Sequence, residues 1–175
     1  MITPPGYSYA LTKEEMESLW PDLKEGENFH FTSLKKRGYK CVWYALMLDR
    51  GDIDMLWFRD FYNLDPATLD HSAKGYAKCF QQYFGFEECL SKEYEEGFIK
   101  IVLYEDKNQD FKHVARVLPN GYFTSKMGNY EDIQHSLEAV CGNEYGYPVL
   151  YMKKSVNVEI QNRFLEAFKV QEPSS

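Results

Sequence analysis

The dipeptide Asn120-Gly121, flanked on both sides by apolar and β-branched residues, is the feature that most constrains how this chain can fold. Both central residues of a type I′ turn need a positive φ, which Asn and Gly tolerate best, so the pattern predicts a two-residue β-hairpin. Gly128 then ends the second strand, and Asn129 can cap a helix that carries Asp132 and His135 in its first turns. The sequence therefore predicts a β-β-α unit.

This unit concentrates the polar side chains that are best suited to chemistry. They are two imidazoles, a carboxylate, two basic groups and two hydroxyls, namely His113, Arg116, Thr124, Ser125, Lys126, Asp132 and His135. Because residues two apart on a strand share a face, a two-residue turn predicts that Thr124 and Lys126 lie on the same face as His113. We therefore expect the functional site on this unit.

Composition excludes several classes of protein. With 175 residues the chain is expected to form a single domain, 1–175, and its net charge of −7 argues against nucleic acid or an anionic membrane as a partner. No apolar stretch approaches the ~20 residues of a membrane helix, and the N-terminus lacks the layout of a signal peptide. The four cysteines show no CxxC spacing, so we expect free thiols and a cytoplasmic protein.

Capping residues and apolar spacing predict the remaining elements. Helices are predicted from Thr12 to Trp20, over 41–48, from Ala73 to Phe84 between Ser72 and Gly85, and over 158–168. Strands are predicted over 98–104 and 148–152, with an extended piece near 29–31. With the hairpin, these elements predict an α+β fold, in which a mostly antiparallel sheet of about four strands packs with helices.

Cys41 is the candidate nucleophile. It stands in the first turn of a predicted buried helix, where unpaired N–H groups and the helix dipole lower the pKa of a thiol. His113, on a strand further along the chain, can act as the base. A helix-borne Cys followed by a strand-borne His and an orienting group is the chain order of papain-like peptidases and amidases. Asp132 is the first candidate to orient the imidazole, with Ser125 or Thr124 as alternatives.

A metal site is a second hypothesis for the same residues. Asp132 and His135 are three apart, so on a helix they share a face and could bind a divalent metal with His113 or Cys41. The Asp-x-x-His pattern also arises on any polar helix face, where Asp132 complements the helix dipole and His135 is solvated. We therefore expect no metal and no cofactor.

Four further side chains of the unit are predicted to contact a substrate. They are Arg116, Ser125, Lys126 and His135. The two basic residues suit an anionic or polar group, although lone basic residues in a chain with 27 acidic ones are more often ion-paired.

At these residues the sequence resembles a small domain of unknown function that is found mainly in bacterial proteins. Two shorter features match it, a helix headed by Cys41-Val42-Trp43-Tyr44-Ala45-Leu46 and a step after a helix, Gly85-Phe86-Glu87-Glu88-Cys89. The longest shared block joins a His-x-Ala-Arg strand, a Leu-Pro-Asn-Gly turn, a Thr-Ser-Lys strand and an Asp-Ile-x-His helix, over 113–135. The resemblance covers roughly 38–152 and implies the location of a site more than a reaction.

The chain departs from the pattern of that family at two places. Lys40 stands where Asn is usual before the Cys, and 54–58 match poorly the aromatic-Trp-Pro segment that usually follows the first helix. If that segment shapes a substrate cleft, the departure bears directly on activity.

Two functions from different classes fit the sequence. The first is a papain-like thiol hydrolase or acyltransferase that acts on an amide or thioester of a small molecule or peptide, with Cys41, His113 and Asp132 as its catalytic residues. The alternative is a non-catalytic binding module, such as a small acidic inhibitor or immunity-type protein with a protein partner. The charge of −7, the 17% aromatic content and the lack of a complete catalytic motif favour the alternative.

Overall fold

The computed structural model describes residues 18–24, 26–33, 45–46, 70–127 and 132–167. Seven strands and two helices lie within these ranges. The strands are β1 (Phe29–Ser33), β2 (Glu87–Cys89), β3 (Phe98–Glu105), β4 (Phe111–Val117), β5 (Phe123–Lys126), β6 (Asp132–His135) and β7 (Tyr147–Ser155), and the helices are α1 (Ala73–Phe84) and α2 (Val158–Ala167). The helix predicted over 41–48 lies outside the described residues, apart from Ala45 and Leu46, which are helical and buried.

The strands form one antiparallel sheet in the order β1-β6-β5-β4-β3-β7-β2. The prediction of an α+β fold with about four strands is wrong, because the described chain is mainly β, with seven strands and two short helices of described bounds. The same finding removes the fold-level basis for the papain-like comparison. Strand β2 could not be predicted from the sequence, because it has only three residues, of which Glu87 and Glu88 are exposed.

Several elements were predicted correctly from local signals. Helix α1 begins after Ser72, whose hydroxyl accepts a hydrogen bond from the Gly75 N–H at 3.2 Å. It ends at Gly85, whose N–H donates to the Gln81 carbonyl at 3.2 Å. Strands β1, β3 and β7 and helix α2 also lie where apolar spacing predicted them.

The β4–β5 loop is one residue longer than the predicted two-residue turn. The Gly121 N–H donates to the Leu118 carbonyl at 3.2 Å, the Leu118 N–H donates to the Tyr122 carbonyl at 2.9 Å, and Gly121 has a φ of +84°. These bonds define a three-residue loop with a left-handed last residue, for which Pro-Asn-Gly is well suited. Val117 therefore pairs with Phe123, and every residue of β5 moves to the face opposite the predicted one.

The helix predicted to carry Asp132 and His135 is a strand, so this prediction is wrong. Strand β6 pairs with β5 on one side and with β1 on the other. The backbone hydrogen bonds that β6 forms with both β1 and β5 outweigh the local preference for a helix that Asn129 indicated. On a strand, residues three apart belong to opposite faces, so the shared helical face assumed for a metal site does not exist.

Two hydrophobic clusters cover the two faces of the sheet. The first covers what we call the histidine face, which carries His113, Ser125 and His135, and it includes Val102, Tyr104, Ala115 and Ile133. The second covers what we call the helix face, on which α1 packs, and it includes Phe80, Ile101, Leu103 and Val114. Ala45 and Leu46 belong to the cluster on the helix face.

Candidate active site

Three adjacent strands bring His113, Ser125 and His135 together on the histidine face. Ser125 on β5 lies between β4 and β6, diagonal to His113 on one side and to His135 on the other, since Phe123 pairs with both Val117 and His135. All three residues have no solvent exposure. The observed β4–β5 register is required for this cluster, because a shift by one residue moves Ser125 to the helix face.

The three side chains form a continuous series of hydrogen bonds, which we call the histidine chain. His113 Nε2 lies 2.8 Å from Ser125 Oγ, and Ser125 Oγ lies 2.6 Å from His135 Nε2. His135 Nδ1 lies 2.7 Å from the carbonyl oxygen of Ser136, which closes the series. Each contact is within the normal range for a hydrogen bond between buried polar groups.

The Ser136 carbonyl fixes the direction of every bond in the histidine chain. Since a carbonyl can only accept, His135 donates from Nδ1, and its neutral ring must accept at Nε2. The Ser125 hydroxyl therefore donates to His135 and accepts from the Nε2–H of His113. His113 is left with a lone pair at Nδ1, a buried atom with no hydrogen-bond partner among the described residues.

Burial keeps both imidazoles of the histidine chain neutral near pH 7. It lowers the pKa of His113 well below its usual 6.5, and the neighbouring His135 lowers it further by charge repulsion. Burial also lowers the pKa of His135, to about 4, although its hydrogen bond to the Ser136 carbonyl opposes the shift. Neutral rings are what the donor and acceptor assignment requires.

Aromatic rings hold the His113 imidazole in place. The Tyr145 ring stacks on it with centroids 3.8 Å apart and planes 4° apart, and the Tyr104 ring lies tilted at 5.6 Å. Tyr145 belongs to a tight turn that is closed by two backbone hydrogen bonds between Gly142 and Gly146, at 2.7 and 3.1 Å. The Tyr104 hydroxyl donates to the Leu137 carbonyl at 2.7 Å, which fixes the second ring.

The structure brings together only part of the predicted site. His113, Ser125 and His135 meet, whereas Arg116 is buried on the helix face. Asp132 occupies a backbone position of opposite alternation to His135, so it is not on the strand face of His113. Lys126 pairs with Asp132, so the two residues occupy equivalent positions in the alternation of their strands. Cys41 lies outside the described residues.

A second buried polar cluster, which the sequence did not predict, lies on the helix face. Arg116, Thr124 and Gln134 occupy one row across β4, β5 and β6, and all three are buried. Arg116 donates to the side-chain oxygen of Gln161 on α2, and the Gln161 amide donates to the Phe98 carbonyl at 2.8 Å. The Leu-Pro-Asn-Gly sequence, read as a three-residue loop, would have placed Arg116 and Thr124 on this face together.

A small pocket of about 170 Å³ lies at the β4–β5 loop. It is lined by Lys92, Glu93, Tyr94, Pro119, Gly121 and Phe123. Phe123 separates this pocket from the histidine chain, since its ring stacks on His135 with centroids 6.2 Å apart. Within the described ranges, no three His, Cys, Asp or Glu residues are grouped as metal ligands would be. No helix in the described part of the chain has the length and apolar character needed to cross a membrane.

The fold and the site define a mainly β protein with a hydrogen-bonded His-Ser-His chain buried on one face of its sheet. The chain belongs to the family described as domain of unknown function DUF7689, whose model matches residues 30–153. This match confirms the resemblance to a small domain of unknown function. No curated protein and no solved structure matches the chain.

Proposed function

We propose that this protein is a cysteine hydrolase or acyltransferase that acts on an amide or thioester, with Cys41 as the nucleophile and His113 as the base. The observation that carries the proposal is the buried, unpartnered Nδ1 lone pair of a neutral His113. A buried acceptor without a donor costs about 1–3 kcal/mol, so its retention calls for an explanation such as catalysis. A neutral ring with one nitrogen held by a hydrogen bond and a lone pair on the other is the form that a general base needs.

The reaction follows from ordinary thiol chemistry. The Cys41 thiol transfers its proton to His113 Nδ1, and the thiolate attacks the carbonyl carbon of the substrate. The imidazolium returns the proton to the departing amine or thiol, which leaves an acyl group on the Cys41 sulfur. Water, or a second nucleophile in an acyltransferase, then releases the acyl group with His113 again acting as the base. In this scheme Ser125 replaces Asp132 as the group that contacts His113.

A non-catalytic binding module, such as an inhibitor or immunity-type protein, is the second candidate, and a specific observation favours it. Ala45 and Leu46, which follow Cys41 closely in sequence, pack into the cluster on the helix face together with Phe80. His113 lies on the opposite face and is fully buried. A partner protein rather than a substrate would then account for the net charge of −7.

The pH dependence of cysteine alkylation by iodoacetamide, followed by mass spectrometry, separates the two candidates. The other three cysteines serve as internal references, because burial raises the pKa of the Cys79, Cys89 and Cys141 thiols, that of Cys141 to about 11. A catalytic Cys41 should react at a pH well below the ~8.5 of an ordinary thiol. The reaction at low pH should disappear in His113→Asn and persist in His71→Asn, which removes an exposed imidazole.

The opposite result is equally informative. If Cys41 reacts only after the protein is unfolded, it does not form a reactive thiolate in the folded protein, and the binding module becomes the better assignment. Circular dichroism of His113→Asn should accompany the assay, since a loss of fold would also alter the reactivity of all four cysteines together. A selective change at Cys41 is therefore the decisive signal.

A further inference from the structure

The histidine chain has the geometry of a proton relay. Its three hydrogen bonds all run from His113 toward Ser136, because the Ser136 carbonyl can accept but cannot donate. Ser125 is the only hydroxyl in the series, and it donates to one imidazole while it accepts from the other. Such a series can reverse its first two bonds by moving two protons, each across one short contact.

We propose that Ser125 and His135 are positioning residues that hold His113 in its Nε2–H tautomer and take over the charge of a proton that His113 Nδ1 accepts. When a proton binds Nδ1, the Nε2 proton of His113 moves to Ser125 Oγ, and the hydroxyl proton of Ser125 moves to His135 Nε2. His113 is then neutral with its proton on Nδ1, and Ser125 is again a neutral hydroxyl. His135 becomes an imidazolium, so one proton has entered and one positive charge has moved to β6.

The surroundings of the two rings favour the charge on His135. Its Nδ1–H already donates to the Ser136 carbonyl at 2.7 Å, and this bond becomes charge-assisted when the ring is protonated. Within the described part of the chain, His113 contacts uncharged groups of the neighbouring elements, which are Tyr104 of β3, Tyr145 of the 142–146 turn and Ser125 of β5. Burial lowers the pKa of both imidazoles, and the hydrogen bond to the Ser136 carbonyl opposes this shift at His135.

This inference rests on the proposed function only for the source of the proton, the Cys41 thiol. The tautomer of His113 and the transfer of charge to His135 depend on the hydrogen bonds alone. Both can therefore be measured in Cys41→Ala, in which the proposed reaction cannot occur. A failure of the alkylation assay and a failure of the relay would be separate results.

NMR of the folded protein with ¹⁵N-labelled histidine tests the relay directly. At pH 7, we expect His113 to carry its proton on Nε2 and His135 to carry its proton on Nδ1. On acidification, the first proton taken up should convert His135 to an imidazolium and, in the same step, move the His113 proton from Nε2 to Nδ1. That coupled change is not expected of two imidazoles that are merely buried side by side.

Substitutions of serine supply matched controls. Ser125→Ala removes the bridging hydroxyl, so His113 should lose its single tautomer and the two rings should titrate independently. Ser136→Ala makes the same chemical change next to the relay but keeps the carbonyl, so the wild-type signals should persist. Ser125→Thr restores a hydroxyl and should restore the tautomer.

Either of two results overturns the proposal. One is wild-type protein with His113 protonated on Nδ1 at pH 7, which needs no variant and holds even if Ser125→Ala fails to fold. The other is acid titration in which His113 becomes an imidazolium before His135, or in which His135 charges while His113 keeps its Nε2 proton.

Discussion

The two faces of strands β4 and β5 bury polar groups in opposite ways. On the histidine face, three neutral side chains bond to one another and end on a backbone carbonyl. On the helix face, Arg116 carries a permanent charge into the interior and bonds to Gln161 of a separate helix. The first cluster lies within the sheet, whereas the second connects the sheet to α2.

This difference implies different roles for the two clusters. A guanidinium stays protonated at any ordinary pH, so the helix-face cluster can fasten α2 to the sheet but cannot exchange protons. The imidazoles can exchange protons, and the buried His113 Nδ1 has no hydrogen-bond partner among the described residues. We therefore expect mutations on the helix face to act mainly on stability, and mutations on the histidine face to act on both stability and proton chemistry.

The largest effect is expected from Arg116→Ala. Arg116 is among the largest fully buried side chains, so the substitution leaves a cavity and removes a hydrogen bond to Gln161. We expect a loss of about 3–5 kcal/mol in the free energy of unfolding, measured in urea. Arg116→Met, which keeps most of the volume, should lose less. A change of under about 1 kcal/mol in Arg116→Ala would contradict the role of this cluster as a fastening.

The pH dependence of stability should come from the histidine face. The pKa of His135 falls from 6.5 in the unfolded chain to about 4 in the folded one, so the unfolded chain binds the proton more tightly. Stability should therefore be full above pH 6.5 and should fall as the pH decreases toward 4, by about 3 kcal/mol for this residue. Protonation of His113 adds to the loss, because its pKa is also lowered.

A pair of histidine variants isolates this contribution from that of the carboxylates. His135→Gln keeps a hydrogen-bonding group but cannot titrate, so its unfolding free energy should depend less on pH between 6.5 and 4. His71→Asn removes an exposed imidazole and should follow the wild-type curve. Identical slopes in all three proteins would show that the buried imidazole does not set the acid sensitivity.

An intermediate effect is expected from Ser125→Ala. The substitution leaves the Nε2 atoms of both His113 and His135 without their bridging partner in a fully buried site. We expect a loss of about 2 kcal/mol in the free energy of unfolding. Thr124→Ser changes the adjacent residue on the helix face and keeps its hydroxyl, so it should cost about 1 kcal/mol or less. Equal losses would mean that packing, not the hydrogen bonds, determines the effect.

The comparison also explains what the sequence could and could not predict. Helix α1 was predictable because Ser72 and Gly85 act on their immediate neighbours. His113, Ser125 and His135 lie together in the segment for which the sequence predicts a site, and their functional role stays a prediction. The strand character of β6 was not predictable from the segment alone, because its hydrogen bonds come from β1 and β5.

The predicted assignment of β5 residues to the two faces of the sheet depended on the predicted length of the β4–β5 loop. A two-residue turn places Thr124 with His113, whereas the observed three-residue loop places Ser125 there. Asn120-Gly121 is compatible with either loop. Pro119, which precedes this dipeptide, favours the three-residue loop, since proline fits the first central position of a type I turn. A register error of one residue was enough to exchange the two candidate orienting groups.

The smallest predicted effect tests what holds this register. Gly121 has a φ of +84° and an added Cβ would meet no atom within 4 Å, so Gly121→Ala should cost only conformational strain, about 1 kcal/mol. Gly97→Ala is a matched control, with a φ of +83° and equally open space. A slip of one residue would bury Ser125 on the helix face and break the histidine chain, at a greater cost than the strain.

We therefore expect the two glycine variants to lose similar free energies of unfolding and to leave the His113 tautomer unchanged. Equal losses would show that the buried polar groups on the two faces, rather than the loop, hold β5 in register. A larger loss in Gly121→Ala, together with a changed His113 tautomer, would contradict this view. The loop conformation would then determine the register that places Arg116 on one face and Ser125 on the other, and the buried polar groups would not determine it.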